Sequence, residues 1–341
     1  MIQKTLEGIA CAYGKIDAIH PLQQLNFCST FVRWRGFELA KLSTQQFGSP
    51  DTNLKLDKLT EYLDRFTTAL QFQPSREKPF RKIYFDAFAG NGGIDIVGES
   101  MPLFDVYEST SFIKGSARRA LELKVPFDEY IFVEKDKTRA RELQAMVASE
   151  YSNLASRVRV INGDANKVLQ EFCQSHDWYA RHSRQSRAVV FLDPFGNNVV
   201  WDTIKCVAQT KAIDLWYLFP AGLGVNRQVG NDGKIHYTHE ASIDALFGGA
   251  DWQELARQPT GQLSFDNIPT PAFEKLSTPK IMTEFMIKRM KPIFGGGVLD
   301  DWLPLGGKGR HDYSLLFAWA NPSPKAKLAP KLAAAVLRRK K

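Results

Sequence analysis

"KIYFDAFAGNGGIDIVGES", Lys82 to Ser100, decides the fold. An apolar run climbs into a carboxylate, Asp86, and passes at once into small residues, Ala89-Gly90-Asn91-Gly92-Gly93. Glycines directly behind a buried strand either make a tight turn or let a ligand lie against bare backbone, where a Cβ would stand in the way.

From Lys82 onward the same rhythm repeats. The runs "KIYFDAF", "EYIFVEK", "RVRVING", "AVVFLD" and "IDLWYLF" read as strands. Between them "SARRALELK", "KTRARELQAMVASEY", "ANKVLQEFCQSH" and "WDTIKCVAQTK" place apolar residues three or four apart, as helices do. Such alternation predicts an α/β fold, a Rossmann-like, doubly wound, mostly parallel sheet with helices on both faces. Near-continuous apolar strands agree, since both faces are then covered. "GGGVLDDWLPL" and "DYSLLFAWANP" predict a terminal strand pair. Upstream, "FVRWRGFELAKL" and "NLKLDKLTEYLDRFTTAL" are helical in spacing, with Asp51 or Thr52 as N-cap of the second. The expected organisation is an N-terminal helical module over 1–79, an α/β domain over 80–321 and a basic C-terminal helix or tail over 322–341.

The net charge is +8, but the last segment holds Lys325, Lys327, Lys331, Arg338, Arg339, Lys340 and Lys341 without an acidic residue, so the rest is near neutral. Such a tail holds phosphate or simply solubilises an end. No run approaches the roughly 20 apolar residues of a membrane helix. No signal peptide is evident, and the four cysteines lack metal or disulfide spacing, so a cytoplasmic setting without membrane or metal is expected. "WYARHSRQSR", Trp178 to Arg187, has a basic and aromatic pattern that nucleic-acid surfaces and ordinary solvated loops share.

In open parallel sheets ligands bind beyond the carboxyl ends of the strands. Four successive strands finish at or beside a carboxylate: Asp86, Glu134, Asp164 and Asp193. A nucleoside explains the set, with Glu134 accepting ribose hydroxyls and Asp164 an adenine amine. That much suits NAD and S-adenosylmethionine (SAM) alike. A pyrophosphate requires a glycine loop that runs straight into a helix N-terminus. Here about twenty irregular residues are expected before a helix at Ser116. Asp86 would also repel a pyrophosphate but suits the ammonium and sulfonium of SAM. A nicotinamide-dependent oxidoreductase is therefore the weaker reading.

"FDAFAGNGG", "FVEKD", "FLDPFGNNVVWDTI" and "TKAIDLWYLFPAGLGVNR" together resemble the blocks of the three-Cys-motif partner family, bacterial proteins built like class I SAM-dependent methyltransferases. The resemblance is strong over roughly 80–230. It implies SAM as cofactor, held by Asp86, Phe88, Gly90, Asn91, Gly92, Glu134 and Asp164, and a companion protein bearing three cysteines. The family commonly has proline where Asn91 stands. "FLDPFG" resembles the acceptor box of amino-group methyltransferases, in which a carboxylate and a carbonyl hold the amine and an aromatic ring stacks on a flipped base. Asp193, Pro194 and Phe195 are the catalytic candidates, although the second proline is missing; the plain alternative is a turn with Phe195 packed beneath it. Cytosine-5 chemistry is excluded, since no cysteine follows a proline. Asn226 and Arg227, in "GVNRQ", lie on the substrate side by topology. The expected function is SAM-dependent methylation of an amino group, in nucleic acid. The rival is a non-catalytic or partner-dependent protein on the same fold.

Overall fold

Strand β1 (Arg81–Asp86) is the axis around which the chain is wound. The computed structural model describes residues 50–96, 111–259 and 273–339; "FVRWRGFELAKL" lies outside them. Following α1 (Pro50–Ala69) and β1, a hairpin of β2 (Gly93–Ile96) and β3 (Ser111–Lys114) precedes α2 (Ser116–Leu121). Then come β4 (Glu129–Glu134), α3 (Lys137–Glu150), β5 (Val158–Asn162), α4 (Ala165–Ser175), β6 (Ser186–Leu192), α5 (Trp201–Gln209) and β7 (Ile213–Phe219). One π-helical turn, Ala221–Val225, leads to α6 (Tyr237–Phe247), α7 (Gln253–Ala256), β8 (Arg257–Pro259), β9 (Phe273–Lys275) and α8 (Pro279–Met290). The chain closes with β10 (Gly297–Val298), β11 (Leu303–Leu305), β12 (Tyr313–Trp319) and α9 (Leu328–Arg338).

The sheet order is β5-β4-β1-β6-β7-β12-β10, with β11 also on β12. The first five strands are mutually parallel, and β12 runs antiparallel to β7. This is a Rossmann-like, doubly wound, mostly parallel sheet, and its switch point lies at β1, where the chain leaves β5 on one side and returns as β6 on the other. Side-chain alternation divides the core. Ile83, Phe85, Ile131 and Val190 face α4, α5, α6 and α8, whereas Tyr84, Phe132, Phe191 and Trp216 face α1, α2, α3 and α9.

Helix α1 is built into this second layer. Leu56, Leu59, Leu63 and Phe66 recur at the helical period and are buried. Tyr62 donates to Asp214 Oδ2 at 2.7 Å in the interior. Burial pushes the Asp214 carboxyl up to about 7, against the hydrogen bond from Tyr62 and the charge of Arg187. Lys58, 4% exposed, donates to the carbonyls of Val336 and Arg339 and so satisfies the open C-terminal end of α9. Arg338 pairs with Asp301 and Arg339 with Glu61. Part of the basic tail is thereby neutralised within the fold.

Two expectations are corrected. The stretch after Gly93 is not wholly irregular: its described ends pair as β2 and β3. Helix α1 begins at Pro50, so neither Asp51 nor Thr52 is its N-cap; Asp51 instead accepts from Gly306 N at 3.1 Å. In "WYARHSRQSR" Trp178 is buried, Arg184 grips Asp128 and the carbonyls of Pro79 and Phe80, and Arg187 stacks on Phe80 at 4.4 Å, while Tyr179, Arg181, His182, Ser183 and Gln185 are exposed. This stretch runs into the start of β6, at the sheet edge opposite the strand ends considered next.

Candidate active site

Strand register sets the four carboxylates in a stair. Asp86 lies level with Phe132 of β4 and Phe191 of β6. Glu134 and Asp193 each stand two residues further along their strands. Glu134 in turn is level with Asn162, and Asp164 stands two residues beyond that. Each step away from β1 therefore reaches further past the sheet, leaving a recess over β1. The ledges are pinned by main-chain bonds: Ala87 N to Phe191 O (3.1 Å), Ala89 N to Val133 O (3.0 Å) and Gly163 N to Glu134 O (3.2 Å).

Asp86 lies buried beneath this step and is 0% exposed. Its Oδ1 accepts from Phe88 N at 3.2 Å and its Oδ2 from the Tyr84 hydroxyl at 3.3 Å. Burial pushes this carboxyl up to about 6; the charge of Asp193 adds to the rise, and hydrogen bonds from Ser116, Phe88 and Tyr84 oppose it. Glu134 and Asp164 share a different pattern. Glu134 Oε1 accepts from Asp136 N at 2.7 Å. Asp164 Oδ1 caps α4 by accepting from Asn166 N and Lys167 N at 3.1 and 3.2 Å. In each, the second oxygen makes no hydrogen bond among the described residues.

The glycines divide the labour. Gly90, at φ +62°, has nothing among the described residues within 4 Å of where a Cβ would stand. Gly92, at φ +85°, is packed: a Cβ there would lie 2.6 Å from Met146 Cε and 3.2 Å from Leu143 Cδ1. Asn91 sends its amide to Glu142 of α3 at 3.1 Å, and Phe88 packs partly against the core. Of the cofactor candidates, then, Gly90, Glu134 and Asp164 border the recess and Asp86 lies buried beneath it, whereas Phe88, Asn91 and Gly92 hold the turn.

Asp193 is not free. Lys55 of α1 reaches it at 2.5 Å, the two side chains being 15% and 23% exposed. Sequence reading missed Lys55, because 138 residues separate the partners and nothing local marks the contact. Pro194 is buried, but Phe195 is 49% exposed and does not pack beneath the turn. Asn197 ties this loop to the π-helical turn through Gly224 O at 2.7 Å, while its own Oδ1 is buried without a partner among the described residues. Asn226 is committed, its Oδ1 accepting from Ser277 and its carbonyl from Lys275. Arg227 is exposed and makes no ion pair among the described residues.

No family model matches the chain, and no curated protein matches it. Among solved structures it is similar to a protein from Legionella pneumophila at 12% identity, covering 84% of this chain and 92% of that one with a TM-score of 0.44. An O-methyltransferase from Bacillus cereus in complex with SAH is 13% identical over 81% of this chain and 83% of that one, with a TM-score of 0.37. A glycopeptide N-methyltransferase complexed with sinefungin is 13% identical over 76% and 85%, with a TM-score of 0.33. Identity and score are too low for these likenesses to carry an argument about the reaction.

Proposed function

We propose that the chain is a SAM-dependent methyltransferase acting on an amino group, and that the group belongs to nucleic acid. The observation that carries the cofactor half is the recess over β1: a bare α-carbon at Gly90 above a buried carboxyl and beside two carboxylates that each keep an oxygen without a hydrogen bond among the described residues. That donor set fits SAM. Asp86 would face its ammonium, Glu134 its ribose hydroxyls and Asp164 its adenine amine. Bound there, SAM supplies a methyl group already activated by the sulfonium, so positioning an acceptor provides most of the acceleration. Asp193 and the carbonyl of Pro194 would hold and orient the acceptor amine.

The nucleic-acid half is supported by the exposed ring of Phe195 beside Asp193 and by the exposed Arg227. A flipped base is recognised by such stacking together with hydrogen bonds to its edge.

One observation favours a second reading, a partner-dependent protein. Lys55 occupies the carboxylate that should receive the amine. A companion, of the three-cysteine kind that the sequence resemblance implies, would draw the Lys55 side chain off Asp193 and open the site.

Glu134→Ala tests the cofactor assignment. Its Oε1 bond to Asp136 N is local to the turn, so the variant is expected to fold. Loss of a charged hydrogen bond, worth roughly 1.5–3 kcal/mol, predicts about 10- to 100-fold weaker SAM binding by calorimetry. Unchanged affinity would remove Glu134 from the site.

A further inference from the structure

His311 lies in the loop before β12, outside every role assigned above. A chain of hydroxyls fixes its protonation pattern. Thr283 Oγ1 stands 2.7 Å from the Pro279 carbonyl oxygen, which can only accept, so the threonine proton is committed there. Ser314 Oγ, 2.7 Å from Thr283 Oγ1, must therefore donate to it. His311 Nε2, 2.7 Å from Ser314 Oγ, must in turn be a donor. The neutral ring accordingly carries its lone pair on Nδ1, which makes no hydrogen bond among the described residues. Ser314 and Thr283 are both 0% exposed, so water does not compete for this chain.

Main-chain bonds tie the loop that carries this ring to the acceptor loop through the π-helical turn. Gly222 N and Leu223 N of the π-helical turn donate to Asp312 O at 2.9 and 3.2 Å. The same turn is tied through Gly224 O to Asn197, four residues beyond Asp193. Ser314 is level with Phe219 at the carboxyl end of β7, so His311 lies at the same end of the sheet as Asp193.

We propose that His311 takes the acceptor's proton through Nδ1 during methyl transfer, with Ser314 and Thr283 as positioning residues that hold the tautomer. This rests on the methyltransferase reading above. The acceptor's lone pair forms the new bond to the methyl carbon and the carbon–sulfur bond breaks with its electron pair left on sulfur. The acceptor's proton passes to Nδ1, and the resulting imidazolium loses it to solvent. Burial lowers the ring's proton affinity while Asp312, itself paired with Arg310 at 3.4 Å, raises it. Among the described residues, the hydrogen-bonded groups that reach the ring from β12 and α8 are the two neutral hydroxyls of Ser314 and, through it, Thr283. A neutral base near pH 7 is the result.

The test needs no methyl acceptor. Nitrogen-15 NMR of the full chain would follow the histidine rings through a pH titration in two complexes, with S-adenosylhomocysteine and with sinefungin, whose ammonium stands where the sulfonium charge would be. His311→Asn identifies the signal. His176, bonded to Ser186 at the start of β6 on the far edge, serves as control. The neutral His311 ring should be protonated at Nε2, and its pKa should lie roughly one unit lower with sinefungin than with S-adenosylhomocysteine, as a nearby charge requires. His176 should titrate alike in both. Binding of both ligands without a difference at His311, or a neutral ring protonated at Nδ1, overturns this proposal alone. Binding of neither ligand overturns the methyltransferase reading and this proposal with it.

Discussion

Asp86→Asn is expected to leave the free protein at least as stable as the wild type at pH 8 while weakening SAM binding roughly 10- to 100-fold, the loss of a charged hydrogen bond. The two effects oppose each other because the carboxyl is wholly buried and raised from 3.8 to about 6, chiefly by burial. Between those values the folded protein keeps a proton that the unfolded chain has released. Stability therefore falls as pH rises through that window, by on the order of 2–3 kcal/mol once Asp86 is ionised. Asparagine carries no charge and avoids that cost, and its amide can face the Tyr84 hydroxyl and Ser116, both able to accept. Unfolding in urea at pH 4 and pH 8 measures the first effect: the variant's advantage should appear only at the higher pH. Calorimetry with SAM measures the second. Wild-type binding near pH 6 should also release protons, because a bound ammonium favours the ionised carboxylate. A variant that loses stability at pH 8 and binds SAM normally would make Asp86 a structural residue.

The two glycines should fail in opposite ways. Gly90→Ala places a side chain at φ +62° without a clash, costing roughly 1–2 kcal/mol of stability. Its methyl group would, however, fill the recess where the ligand is assigned, and SAM binding should fall by far more than stability does. Gly92→Ala meets Met146 and Leu143 as well as the backbone strain, so its stability loss should be the larger, roughly 2–4 kcal/mol. Its methyl group points toward α3 and away from the recess, and the folded fraction should retain most of its affinity. Thermal unfolding and SAM titration of both variants give a crossed pattern. The reverse order would place the ligand elsewhere.

The sheet was legible because its parallel strands are largely apolar runs, four of the five ending at or beside a polar residue, and each intervening helix keeps its period. The hairpin of β2 and β3 was not, since four-residue arms such as "GIDI" and "SFIK" are too short to show alternation. The four carboxylates could be read as strand ends. Their stair could not, because it follows from register, which no single strand encodes. Asn91 reads as a ligand donor from its place in the turn, yet Glu142, 51 residues on, captures its amide. Lys55 and the His311–Ser314–Thr283 chain were invisible for the same reason. Each depends on residues far apart in sequence that only the packing of α1 and α8 brings together.

The central claim is that the recess over β1 binds SAM. Calorimetric titration of the wild-type chain with SAM, and separately with NAD, tests it most directly. Micromolar binding of SAM and none of NAD is the predicted result. Binding of NAD in preference to SAM, or of neither, would contradict it and leave the open turn at Gly90 without a ligand.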